Sequence, residues 1–368
     1  MENKSNQTIK GNENFQQNIV NQTNNYIVNG VTEEKARSIS EKISRDISSQ
    51  YFELSQNIAN SRMDEFENTI MNKFSKIENG LNNFADPSFV YQYRYAQIQA
   101  AQTDDVNNYN LLCELLAHRS QKKENKFTQT GVDGAINIVN KLSDSVLSAL
   151  TILNFFSNSF YPTSCDINDG LKTLDNLFKV IIKNSELPNG YQWFDQLDIL
   201  QAIRINQIYP MKKFNQIMEN KLSKYLVLGI QLESENYKKL LNIEKNIPFK
   251  LMVSNPLLPN YIKLGFDLES YDEVTINYND SYILLKEVQP QEVIKKSIED
   301  IVNLYDKDEE KLKKVKEKAH ELMNSYKYIK MVGDWWNKIP HACEITAIGR
   351  VLGHANAKKC YPDFPDLD

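Results

Sequence analysis

From Val31 to Asn79 the chain carries no glycine and no proline. Its apolar residues there fall at Ala36, Ile39, Ile43, Ile47, Tyr51, Leu54, Ile58, Phe66, Ile70, Phe74 and Ile77. Steps of three and four residues place such side chains along one face of an α-helix. Thr32 is positioned to cap it, and Glu33 and Glu34 occupy the first turn, where the helix dipole favours acids. The spacing predicts a helix from residue 31 to about residue 82, roughly 70 Å long if continuous. Ile39, Ile43 and Ile47 advance by fours and break a strict heptad, so the pattern predicts a bundle helix or stalk in preference to a two-stranded coiled coil.

Ahead of that helix lies a segment of different character. Asn and Gln fill 13 of the first 30 positions, and apolar residues come in short bursts at Phe15, Ile19–Val20 and Tyr26–Ile27–Val28. Such a segment has too little apolar surface to fold alone, yet its amides and β-branched residues pair well with copies of themselves. Residues 1–30 therefore read as a β-forming arm, with Phe15, Ile19, Val20, Tyr26, Ile27 and Val28 as assembly contacts. The competing reading is a solubilising tail.

With 12 Gly and 11 Pro in 368 residues, the rest favours helices over a turn-rich β fold. A net charge of −5 argues against a protein built to coat nucleic acid. Four cysteines, Cys113, Cys165, Cys343 and Cys360, are too few for a disulfide framework, which points to a reducing cytoplasm. The first residues lack a basic-then-apolar signal. The most apolar run, Val146 to Phe156, is interrupted by Ser148, Thr151 and Asn154. It is far shorter than the roughly 20 residues that span a bilayer, so it predicts a buried helix and no transmembrane segment.

The pattern predicts five parts: the arm 1–30, the long helix 31–84, a helical domain 85–160, a mixed α+β domain 161–288 and a helical C-terminal domain 289–368. Asp86–Pro87 is a helix start. Helical runs follow at Ser88–Gln102, Val106–Ser120, Gly134–Leu142 and Asp144–Phe156, with a break over Gln121–Asp133. Gly170–Lys183 and Trp193–Ile203 read as helices, and Glu273–Glu287 as a hairpin turning at Asn279–Asp280. The fold class expected is mainly α and multi-helical, with a small α+β C-terminal part.

Chemistry-bearing residues concentrate near the C-terminus. His341, Cys343, His354 and Cys360 offer two imidazoles and two thiols, the donors of a tetrahedral zinc site. Their spacing fits no standard finger, so the leading expectation is no cofactor, with zinc as the second reading. Lys311, Lys313, Lys314, Lys316 and Lys318, near Trp335 and Trp336, could follow an anionic partner or stack on nucleic-acid bases. The solvated helix face is the simpler reading, because Glu317 and Glu321 interrupt the run. His118–Arg119 reads as a cationic end to a leucine-rich helix, and Asp306, Asp308, Glu309 and Glu310 as a solvated helix start. No phosphate-binding loop, nucleophile elbow or His-Glu-x-x-His pair is present, and no catalytic residue is expected.

The run Glu344-Ile-Thr-Ala-Ile-Gly349 with Val351–Leu352 resembles the entry into the last helix of winged-helix domains, where a Thr caps the helix; Trp193–Leu200 is a weaker echo. Three blocks, Gly30–Arg37 with Phe52–Ser55, Asp86–Phe89 with Tyr95–Ala96 and Leu115–Ser120, and Ile345–Gly349 with His354–Lys358, resemble a bacterial protein family known mainly by locus tags. That resemblance implies an accessory role in phage defence and no catalytic residues. The reading is a non-enzymatic, cytoplasmic homo-oligomer that senses a phage or host protein. The alternatives are a nucleic-acid binder or an assembly-activated toxic effector using residues 311–359.

Overall fold

The computed structural model describes residues 33–121, 125–157, 166–183, 186–245, 247, 249–266, 271–272, 274–278 and 281–367. The arm contacts Phe15, Ile19, Val20, Tyr26, Ile27 and Val28 lie outside the described residues, as do Thr32 and Cys165. The fold is mainly helical. Its helices are α1 (Glu33–Phe74), α2 (Pro87–Ala101), α3 (Val106–Gln121), α4 (Lys126–Ile136), α5 (Asp144–Ser157), α6 (Ile167–Ile182), α7 (Gln192–Ile199), α8 (Phe214–Lys221), α9 (Glu235–Glu244), α10 (Gln291–Asn303), α11 (Glu309–Ser325), α12 (Lys327–Trp336) and α13 (Ala347–Cys360). The strands are short: β1 (Ile203–Pro210), β2 (Ile230–Gln231), β3 (Met252–Ser254), β4 (Tyr261–Leu264), β5 (Thr275–Tyr278), β6 (Ser281–Leu284) and β7 (His341–Ile345). Among the described residues, no helix is long and apolar enough to cross a membrane.

Two units divide the chain, Met1–Glu65 and Phe66–Asp368. In the first, the described part is the helical run up to Glu65. In the second, Phe66, Ile70 and Phe74 of α1 are buried in a core built from the apolar faces of α2 to α8 and α11 to α13. A smaller core gathers Leu240, Ile276, Ile294, Ile298 and Ile301 beneath β2–β4–β3 and the hairpin β5–β6.

Local signals explain where most elements begin. Asp86 caps α2 through Ser88 N–H at 2.9 Å, with Pro87 at the first helical position. Asp308 caps α11 through Lys311 N–H at 3.0 Å. Thr346 caps α13 by accepting from Gly349 N–H at 3.2 Å. Its hydroxyl also donates to the Gln201 carbonyl at 2.6 Å, tying the last helix to the start of β1.

Three expectations about elements need correction. The α-helix expected to reach about residue 82 ends at Phe74, and a 3-10 turn covers Gly80–Ala85. The segment read as a break contains most of α4, because Gly131 and Gly134 serve a close crossing there: an added Cβ would lie 2.7 Å from the Ala347 carbonyl and 2.5 Å from Ile348. The helix expected to run to Ile203 stops at Ile199, and Ile203 opens β1, which pairs antiparallel with β7. The strand before the Thr-capped helix thus takes its partner from far away in sequence, where a winged-helix domain would use a local hairpin.

Candidate functional site

The helical run up to Glu65 carries exposed apolar side chains. No described side chain between Glu34 and Glu65 is buried. Ile39, Ile43 and Ile47 are half-buried, while Tyr51, Phe52, Leu54 and Ile58 are exposed by 61%, 68%, 56% and 45%. A lone helix rich in Ser (Ser38, Ser40, Ser44, Ser48, Ser49) has weak intrinsic stability in water. An apolar stripe on such a helix is stabilised by packing against another surface.

The stripe has a finer pattern that periodicity counts pass over. Ile39-Ser40, Ile43-Ser44 and Ile47-Ser48 repeat every four residues. Residues four apart form a ridge inclined to the helix axis, and the adjacent row of small serines forms a groove beside it. Ridge and groove of this kind fit a second copy of themselves, crossing at about −50°. Between residues 34 and 46 the acids Glu34, Glu41 and Asp46 stand against the bases Lys35, Arg37, Lys42 and Arg45, so the stretch is close to charge-balanced.

The basic run lies on α11 but does not form a free cationic face. Lys311 Nζ reaches Asp306 Oδ2 and the Tyr261 hydroxyl, both at 2.8 Å. Those two partners hold its ammonium well above the usual lysine range, and Lys311 holds the Asp306 carboxyl below its own. Lys316 pairs with Glu219 at 2.8 Å, and Lys318 donates to the Leu257 carbonyl at 3.2 Å. Lys313 and Lys314 are exposed. Trp335 and Trp336 are core residues at 6% and 3% exposure, and their indole N–H groups donate to the Pro188 and Lys212 carbonyls at 3.1 and 2.9 Å. Stacking on bases would require unpacking both rings, which face Trp193 and Phe156.

The four zinc-type residues are not brought together. Among the described residues, no three His, Cys, Asp or Glu side chains converge on a point that could hold a metal ion. His341 opens β7 with its ring 6.3 Å from that of Tyr191. Cys343 pairs in register with Ile205, and burial pushes its thiol up to about 12. Cys360 ends α13 with Sγ 4.0 Å from Asn356 Oδ1.

His354 instead meets a residue from a different part of the sequence. Its ring lies 4.8 Å from that of His118, centroid to centroid, and the two residues are 5% and 6% exposed. His354 Nε2 donates to the Pro365 carbonyl at 2.8 Å, so its Nδ1 keeps a lone pair. Neither Nδ1 has a partner among the described residues. Desolvation, then the neighbouring His354, pushes His118 down to about 3, and desolvation also lowers His354. This corrects the reading of His118 as a cation at a helix end: burial keeps it neutral. The charge at that end is Arg119, which pairs with the Asp133 carboxylate and donates to Ser88 Oγ at 3.0 Å.

A family model described as “:-like” matches residues 30–368; the family is designated by a locus tag, and the description names no activity. Nothing among curated proteins or solved structures matches the chain.

Proposed function

The chain belongs to the family whose model covers residues 30–368, and from that premise we propose that it is a non-enzymatic, self-assembling interaction protein. In this reading the face of α1 before Glu65 packs on the same face of a second copy. The observation that carries it is the Ile-Ser repeat continuing into exposed Tyr51, Leu54 and Ile58, on a run where no described side chain is buried. Burying one large apolar side chain is worth roughly 1.5–3 kcal/mol. Two such stripes together are therefore on the scale of the entropic cost of association, roughly 4–15 kcal/mol. A symmetric pairing uses the same patch on both partners, so no second protein is needed to complete it.

The Asn/Gln-rich arm, residues 1–30, extends this assembly by strand pairing between copies. The setting proposed is anti-phage defence with a phage or host protein as trigger, and it rests on the sequence resemblance alone. Plaque counts on cells expressing the chain or its Ile43→Lys/Ile47→Lys variant test that setting, and equal counts would remove it.

Cross-linking tests the pairing itself. Ser44 lies in the middle of the repeat, so Ser44→Cys is expected to give a disulfide-linked dimer on mild oxidation. Asn60→Cys, beyond the repeat, serves as the control. Absence of cross-linked dimer in Ser44→Cys, or equal yields from both positions, would sink the symmetric contact.

A further inference from the structure

In the second unit, α3, α5, α6, α13 and the last turn of α1 line an open cleft of about 690 Å³. That is within the span of small-molecule sites, roughly 300–1,000 Å³. Four lysines line it, and they come from three separate elements: Lys73 from α1, Lys183 at the end of α6, and Lys358 and Lys359 from the last turn of α13. Gathering ammonium groups is unfavourable unless anions offset them, and this chain is acidic overall at −5.

The anions present offset half of that charge directly. Lys73 pairs with Glu114, and Lys358 pairs with Asp366 at 2.8 Å and donates to the Phe364 carbonyl at 2.6 Å. Among the described residues, Lys183 and Lys359 take part in no ion pair. Both act electrostatically on one sulfur, Cys360 Sγ, whose acidity they raise against the larger effect of its burial. Lys183 is also held at φ 40°, a backbone conformation that non-glycine residues rarely adopt. The rest of the lining is polar and carries two carboxylates, Glu114 and Asp144. Asn107 and Asn110 sit three residues apart on α3, and so on one side of it, and Asp144 opens α5.

We infer that this cleft binds a nucleoside phosphate, with Lys183 and Lys359 taking the phosphate beside Cys360. The Asn107 and Asn110 carboxamides hydrogen-bond the base or sugar, and the Asp144 carboxylate accepts from a sugar hydroxyl. Ammonium–phosphate contacts are charge-assisted and stronger than neutral hydrogen bonds, and the contacts to base and sugar add to them. A carboxylate at the same cleft disfavours bare phosphate, which offers no hydroxyl to offset the repulsion. This site is separate from the assembly face, and neither reading depends on the other.

Calorimetric titration of the full chain tests it, with ATP, inorganic pyrophosphate and a single-stranded RNA 20-mer as probes. ATP is expected to bind saturably, and Lys183→Gln/Lys359→Gln to weaken it by at least roughly tenfold. Asn107→Leu/Asn110→Leu is expected to weaken ATP while leaving pyrophosphate unchanged. Lys338→Gln, outside the cleft, is the control and should change nothing. Circular dichroism of each variant establishes that it is folded before titration, and Lys183→Arg/Lys359→Arg should retain binding. Four results would overturn the proposal: no saturable ATP binding, ATP binding indifferent to the lysine pair, pyrophosphate binding as tightly as ATP, or RNA outcompeting ATP at equal concentration.

Discussion

Lowering the pH from 7 to 5 protonates His118 in the unfolded chain and leaves it neutral in the folded one. Its folded value is about 3, against 6.5 for the free side chain, because α3 and α13 remove it from water and set it against His354, with Lys73 and Lys358 nearby. The sign follows from proton counting. Below 6.5 the unfolded state holds a proton that the native state does not, so stability falls with falling pH until about 3 is reached. Each pH unit in that window is worth about 1.36 kcal/mol for one such group, so moving to pH 5 removes about 2 kcal/mol through His118. His354 is lowered in the same direction and adds to the loss. Urea denaturation at pH 7 and pH 5, followed by the fluorescence of the buried Trp193, Trp335 and Trp336, measures the difference. The informative comparison is with His118→Leu, whose absolute stability is free to change while its pH dependence should be shallower by about 2 kcal/mol across that interval. Equal losses in the two proteins would refute the argument that a neutral, desolvated His118 sits in this core.

Other expectations follow from single contacts. Gly349→Ala places a Cβ 2.0 Å from the Ala202 carbonyl, where backbone must shift, and should lower stability by about 3 kcal/mol in the same denaturation assay. Thr346→Val removes both the cap on α13 and the bond to the Gln201 carbonyl, and should cost roughly 1–2 kcal/mol, seen as a lower urea midpoint with unchanged slope. Lys311→Met separates Asp306 and Tyr261 from their shared cation. The Asp306 carboxyl should then titrate closer to the ordinary range, which carboxyl NMR shifts against pH would show.

Much of the helical framework was legible because its signals are local. Caps at Asp86 and Asp308 and the apolar periods of α3, α5 and α6 act within one or two turns, and the structure places helices there. The hairpin strands Thr275–Tyr278 and Ser281–Leu284 flank the expected turn for the same reason. What escaped was set by contacts between distant residues. Gly131 and Gly134 look like punctuation until Ala347 and Ile348 are laid against them. Ile203 continues a helical pattern until β7 offers it the backbone of Ile345. Trp335 and Trp336 look like an exposed aromatic pair beside lysines, yet their rings pack on Trp193 and Phe156, neither of them nearby in sequence. The cleft lysines span positions 73 to 359 and share no motif, so only the packing of α1, α6 and α13 brings them together.

The central claim is that the helical face before Glu65 joins copies of this chain, and light scattering on the purified protein tests it most directly. At 42.7 kDa per chain, the account predicts a particle mass of two chains or more. It also predicts that Ile43→Lys/Ile47→Lys, which sets like charges along the ridge, lowers that mass at least by half while circular dichroism stays helical. A single-chain mass for the unaltered protein, or an oligomer unmoved by the two lysines, would contradict it.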